Sequence, residues 1–156
     1  DAVAALTGTR GTIDYEGQAA IELEMQAHRC DGPAADRYRF PLARSGDGYI
    51  VQLSDVLSAI VRDVAAGVAV PVIAAAFHEA VARMALDMCR LLSSGSGLRT
   101  IALSGGVFQN RILVSRTASL LRADGFRLLL HRRLPANDGC VSLGQAVVAA
   151  RIAGYG

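Results

Sequence analysis

Ser104-Gly105-Gly106-Val107-Phe108-Gln109-Asn110 is the stretch of this chain whose residue types and spacing could do chemistry. It follows an apolar run, Ile101-Ala102-Leu103, and opens into a segment with helical spacing. A strand, a glycine pair and a helix start place backbone N–H groups where they can face an anion. Glycines permit close approach, and a helix N-terminus adds partial positive charge. The stretch is not a Walker A loop, since no Lys-Ser/Thr follows, nor the dinucleotide fingerprint, since the third glycine is missing. An ordinary tight strand-to-helix turn leaves the same trace, so phosphate binding and plain turn both stand. A second group, Leu134-Pro135-Ala136-Asn137-Asp138-Gly139, offers a carboxylate. Beside a phosphate site, Asp138 would suit a metal–nucleotide centre. The competing reading is that Asn137 and Asp138 cap the helix that follows.

The elements around these groups decide whether they meet. In the back half, a strand at 99–103 precedes the glycine turn and a helix runs to about Asp124. Gly125 ends that helix, a strand spans 126–130, and a last helix runs from about Cys140 to Ile152. Strands joined by a helical crossover favour a parallel sheet, whose ligands bind at the C-terminal strand ends. The glycine turn and the Asn137-Asp138-Gly139 loop follow two such ends, so they are expected side by side. In the front half, Asp1–Leu6 reads as the end of a helix stopped by Gly8, and Ala19–Met25 as a second helix broken at Asp31-Gly32-Pro33. Tyr38, Phe40 and Leu42 alternate with polar neighbours, as do Tyr49, Val51 and Leu53. Ser45-Gly46-Asp47-Gly48 lies between them, predicting a β-hairpin. Ser54 can cap a helix with Asp55 in its first turn and Gly67 at its end, and Pro71 suits the first position of a longer one. Along the latter, Ile73, Phe77, Ala80, Met84, Met88 and Leu91 form one apolar stripe, so the methionines read as core. His78 sits beside that stripe; a lone histidine there is usually packed or at the solvent edge, with a functional role as the alternative. Ser93-Ser94-Gly95-Ser96-Gly97 reads as a flexible turn.

Composition narrows the class. The chain has 156 residues, 52% of them apolar and 5% aromatic, with no Trp, enough for one core of Ala, Val, Leu and Ile. Sixteen basic residues against 14 acidic ones give a net charge of +2, too balanced to argue for nucleic acid or an anionic membrane. No apolar run approaches the roughly 18 residues of a membrane span, and no signal peptide is visible. Cys30, Cys89 and Cys140 have no metal-like spacing, which fits a reduced cytoplasmic compartment. The chain begins at Asp1 without an initiator Met, as a piece of a longer protein would.

Three motifs taken together are recognisable. Tyr15-Glu16-Gly17-Gln18-Ala19-Ala20, the glycine stretch through Arg111, and Leu134–Gly139 occur in the order and spacing of the C-terminal domain of HypF-type carbamoyltransferases. The chain resembles that family from Asp1 to Ile152. The resemblance implies an α/β fold, an actin-like ATPase (ribonuclease H-like) lobe with a mixed sheet, flanking helices and the β-hairpin as an insertion. Residues 1–156 would form a single domain, one lobe of the transferase. It also implies a reaction: carbamoyl phosphate and ATP form carbamoyl-adenylate with release of pyrophosphate. The carbamoyl group then passes to the C-terminal cysteine of a HypE-type acceptor, in nickel–iron hydrogenase maturation. Gly105 and Gly106 would lie against the nucleotide and Asn110 would hydrogen-bond its adenosine part. Asp1 would contact the ribose hydroxyls, Gly17 would let the nucleotide approach, Glu16 would border the pocket, and Asp138 would ligate a divalent metal (Zn, Fe or Mg). The resemblance assigns no residue of this chain to catalysis proper. Each role suits its residue: a carboxylate accepts from two vicinal hydroxyls, and close backbone approach needs glycine.

The departures are equally informative. Family members carry a closely spaced pair of metal-binding histidines ahead of this region, whereas His28, His78 and His131 are scattered. One carboxylate does not hold a metal alone. Cys140 stands where a second glycine is usual. The chain is therefore expected to supply one wall of a nucleotide cleft and to need the missing N-terminal portion of a HypF-type protein. Alternatives are a non-catalytic docking module of hydrogenase maturation and an O-carbamoyltransferase lobe acting on a small metabolite. A sugar- or acid-kinase lobe of the same superfold would need a catalytic base and a different phosphate hairpin, and the sequence shows neither.

Overall fold

The computed structural model describes residues 1–32 and 36–155. Pro33, part of the break expected after the second helix, lies outside the described residues. Short helices α1 (Ala2–Leu6) and α2 (Gln18–Ala27) come first, then a hairpin of β1 (Leu42–Ser45) and β2 (Gly48–Val51), then α3 (Ser54–Ala65) and α4 (Val70–Ser96). The back half is β3 (Thr100–Leu103), α5 (Arg111–Ala123), β4 (Arg127–Leu130) and α6 (Val141–Ile152).

Helix α4 is the spine. Its 27 residues extend about 40 Å at the usual rise. Pro71 fits its first turn, where no N–H is needed, and Gly97 closes it at φ 72. Of the expected apolar stripe Ile73 and Ala80 are buried, whereas Met84 and Met88, expected in the core, are only half-buried and the buried side passes to Ala82 and Leu86. Small residues dominate that buried side: Ala74, Ala76, Ala80 and Ala82 let neighbouring helices approach closely. The first half of α4 packs against α1, α2 and α3 through Ile73, Val3, Leu23, Val56 and Ile60. Its second half joins a separate cluster of Leu86, Leu103, Leu121 and Phe126 beneath the strands. Burying each such side chain contributes about 1.5–3 kcal/mol.

Three further expectations need correction. The serine–glycine segment after Leu92 is helical through Ser96. Ser94 and Ser96 hydroxyls donate back to the Leu91 and Leu92 carbonyls, which satisfies the side chains within the helix. The hairpin forms around Gly46-Asp47, but its ladder pairs Leu42–Ser45 with Gly48–Val51 and excludes Tyr38 and Phe40. Tyr38 instead turns inward, buried, and donates its hydroxyl proton to Asp63 of α3 at 2.7 Å. The strands do not form one mixed sheet: β1 and β2 make an antiparallel pair, β3 and β4 a separate parallel pair. The parallel pair is in the expected register, Thr100 opposite Arg127 through Leu103 opposite Leu130, with α5 as its crossover.

Helix α6 differs from the others. None of its residues is buried, although it is apolar nearly all round. Val147 is 62% exposed and Ile152 83%. A helix of that composition belongs inside a larger structure.

Candidate functional site

The glycine turn leaves the C-terminal end of β3. Gly105 sits at φ 98, ψ 158, a conformation essentially restricted to glycine. Its N–H donates to the Ala136 carbonyl at 2.7 Å. Gly106 begins a single 3₁₀ turn, Gly106–Gln109. The N–H groups of Gly106 and Val107 have no hydrogen-bond partner among the described residues, while the Phe108 N–H returns to the Gly105 carbonyl. A Cβ added at either Gly105 or Gly106 would meet no atom within 4 Å, so the space above both is open. Two free donors beneath open space are what an approaching anion requires.

The Ala136–Gly139 loop lies directly alongside. The Gly105–Ala136 hydrogen bond is one tie; a second joins His131 Nε2 and the Ser104 hydroxyl at 2.9 Å. The two strand-end loops are thus neighbours, as the crossover predicts. Within the second loop the Asx pair divides its work. Asn137 Oδ1 accepts from the Gly139 N–H at 3.2 Å, and Cys140 Sγ donates to the Asn137 carbonyl. Gly139 has little room for a side chain, since a Cβ would lie 3.1 Å from Asn137 Oδ1. Asn137 therefore caps, and the Asp138 carboxylate has no hydrogen bond or ion pair to the described residues, its backbone carbonyl accepting from the Val141 N–H. Among the described residues no three His, Cys, Asp or Glu side chains gather in a metal-holding group. Asp138 by itself does not make a metal site.

Asn110 is the hinge between this loop region and the helices. It is the N-cap of α5, its Oδ1 accepting from the Leu113 N–H at 2.8 Å. Its Nδ2 lies 2.8 Å from His78 Nε2, and His78 Nδ1 lies 2.8 Å from the Ala74 carbonyl. Glu24, from α2, accepts from the N–H groups of Arg111 at 2.7 Å and Ile112 at 3.2 Å. The first turn of α5 is thus already met by a carboxylate and a carboxamide of this chain. The free N–H groups belong instead to the intervening 3₁₀ turn.

The remaining sequence candidates lie at the starts of α1 and α2. Asp1 is exposed at the N-cap of α1 without a side-chain cap. Glu16 is exposed, and Gly17 (φ 81) begins α2 in the left-handed conformation that favours glycine. No hydrogen bond among the described residues joins these three to the glycine loop. The structure brings together Gly105, Gly106, Asp138 and, beside them, Asn110. Glu24 and His131 carried no sequence signal: their partners lie 87 and 27 residues away.

A mixed α/β chain whose paired strand-end loops face open space is the class of protein defined here. The chain belongs to the family described as Carbamoyltransferase, Kae1-like Domain, second subdomain, matched over residues 1–145. A carbamoyltransferase HypF from Rhizobium leguminosarum bv. viciae is 36% identical over 154 residues, 97% of this chain and 19% of that protein. The probable carbamoyltransferase HypF of Methanocaldococcus jannaschii is 28% identical over 99% of this chain and 20% of its own length. A solved full-length HypF in a phosphate- and nucleotide-bound form superposes with a TM-score of 0.87 at 36% identity, covering 97% of this chain and 19% of that one. The chain therefore spans about a fifth of the length of these relatives. Among the described residues no helix is long and apolar enough to cross a membrane.

Proposed function

We propose that this chain is one lobe of a carbamoyltransferase and supplies one wall of a nucleotide site, closed only by the portion of a HypF-type protein that precedes it. In this reading residues 1–156 are a single domain, the lobe is actin-like, and the hairpin is an insertion into it. The substrate is carbamoyl-adenylate, made from carbamoyl phosphate and ATP. The acceptor is the C-terminal cysteine of a HypE-type protein in hydrogenase maturation, and the setting is cytoplasmic. The observation that carries the reading is the Gly105–Ala136 hydrogen bond, which holds two strand-end loops together beneath open space. The full-length HypF that superposes on this chain was solved in a phosphate- and nucleotide-bound form, which supports the same reading.

Each residue then has a defined task. The Gly106 and Val107 N–H groups donate to phosphate oxygens, and Gly105 and Gly106 leave room for the approach. Asn110 has one Nδ2 proton left for the adenosine part. Asp1 and Glu16 would meet the ribose edge past Gly17 once the other wall is in place. Asp138 would contribute one ligand to a divalent metal, able to polarise the carbonyl under attack. The donors among the described residues do not fit that metal unaided, and its other ligands would have to come from the other wall. A docking module without catalysis is the competing reading, favoured by the same incomplete donor set.

The test uses the full-length protein carrying this segment. Gly106→Val fills the open space and should weaken ATP binding by about 100-fold, the loss expected when a site's donors are blocked. Asp138→Ala should abolish carbamoyl transfer without lowering the thermal midpoint. Normal transfer by Asp138→Ala would refute the metal role, and undiminished ATP binding by Gly106→Val would refute the nucleotide site. The 156-residue chain alone should show negligible ATP binding by calorimetry.

A further inference from the structure

His78 is a buried histidine, 5% exposed, in the middle of α4. Both ring nitrogens are engaged: Nδ1 with the Ala74 carbonyl and Nε2 with the Asn110 carboxamide, each at 2.8 Å. A carbonyl only accepts, so Nδ1 carries the proton and Nε2 offers a lone pair. That lone pair must meet a donor, which makes the facing Asn110 atom Nδ2. The same conclusion follows from the other end of the carboxamide, where the Leu113 N–H demands an acceptor and finds Oδ1. Flipping Asn110 would set lone pair against lone pair at His78 and donor against donor at Leu113. Its orientation is therefore doubly determined, once by α4 and once by α5.

We infer that His78 is a positioning residue: acting through Asn110, it fixes which atom that side chain presents to the nucleotide. This inference rests on the proposed reading of Asn110 as a nucleotide contact. One Nδ2 proton remains unassigned, so the ligand atom it meets must be a hydrogen-bond acceptor. The device works while the imidazole is neutral. A second ring proton at Nε2 would confront the Asn110 amide protons and break the pair. Burial, the largest influence, holds the His78 pKa below the ordinary histidine value. The Ala74 carbonyl and the Glu24 carboxylate oppose that shift, and His28 reinforces it. Glu24 and His28, both from the α2 end of the chain, are the charged or titratable groups acting on the ring.

Two measurements test the inference. Long-range ¹H–¹⁵N NMR of the 156-residue chain should show His78 as the Nδ1–H tautomer from pH 6.5 to 8; an Nε2–H tautomer would overturn it. In the full-length protein, His78→Phe keeps bulk and removes the acceptor, while His78→Gln restores one. ATP binding should weaken about 10-fold in His78→Phe and stay within about threefold of the parent in His78→Gln. Binding of inorganic tripolyphosphate, which offers no adenosine, should be unchanged in both. A purely structural role predicts equal losses for the two ligands, and that result would overturn the proposal, as would ATP binding unaffected by His78→Phe. If His78→Phe does not fold, the Gln variant and the tautomer decide. A parent protein that binds no ATP would instead refute the nucleotide site itself, which separates the two failures.

Discussion

Glu79 shows how much one side chain can tie together. Its carboxylate is only 6% exposed, yet it meets Arg83 of α4 at 2.7 Å and Arg116 of α5, both about half exposed. The hydrogen bond from Arg116 holds the carboxyl below the usual glutamate range, against the opposing effect of burial. A depressed folded value means the stabilisation is complete above the ordinary glutamate pKa and is lost as pH falls through the lower folded one. Glu79→Gln should cost about 2 kcal/mol in urea unfolding at pH 7, less than a fully buried pair because both arginines reach solvent. The gap between parent and variant should narrow as pH drops below about 4. At this scale the sequence spoke clearly where conformation alone dictates the residue. Gly105 needs a backbone state closed to other residues, and its glycine pair marks the turn. Asp138 was recognisable by motif. His78 was visible as a histidine beside an apolar stripe, but its partner Asn110 lies 32 residues on, and spacing along one helix says nothing about a contact across two.

Elements reveal what periodicity does and does not carry. The parallel β3–α5–β4 unit was readable because a strand, a helix and a second strand each show their own repeat, and handedness leaves little choice of arrangement. The helical run through Ser93–Ser96 was not, because serine favours turns only until a neighbouring carbonyl offers its hydroxyl a bond inside the helix, as Leu91 and Leu92 do for Ser94 and Ser96. The capping of α5 was equally hidden. Its first two N–H groups are held by Glu24 from a helix 87 residues earlier, the third by its own N-cap Asn110. Removing the distant carboxylate strips two of these bonds at once. Glu24→Ala should destabilise the chain by about 1–2 kcal/mol. It should also speed hydrogen exchange at Arg111 and Ile112 by about 10-fold, the factor that corresponds to about 1.4 kcal/mol, with the β1–β2 amides unaffected. Unchanged exchange at those two positions would mean that α5 is not held by α2.

For the molecule as a whole, the informative surface is the one left uncovered. Helix α6 presents Leu143, Val147, Val148 and Ile152 to solvent, and the chain matches a second subdomain covering about a fifth of its relatives. An apolar face of this kind drives association when nothing covers it. At high concentration the 156-residue chain should self-associate in sedimentation experiments. Val147→Glu with Ile152→Glu should return it to a monomer without loss of helical circular dichroism, and association unchanged by that pair would clear α6 of responsibility. The parallel strands tell a related story. Among the described residues β3 and β4 have only each other as partners, and an isolated two-stranded pair is marginally stable. Both strand-end loops hang from the ends of that slender pair. Whatever completes the sheet would stiffen them, and thermodynamic reciprocity then works in both directions. By the factor that a completing segment tightens the grip on a nucleotide, a bound nucleotide must tighten the grip on that segment. A ligand of this lobe would thus double as the clasp between two pieces of polypeptide.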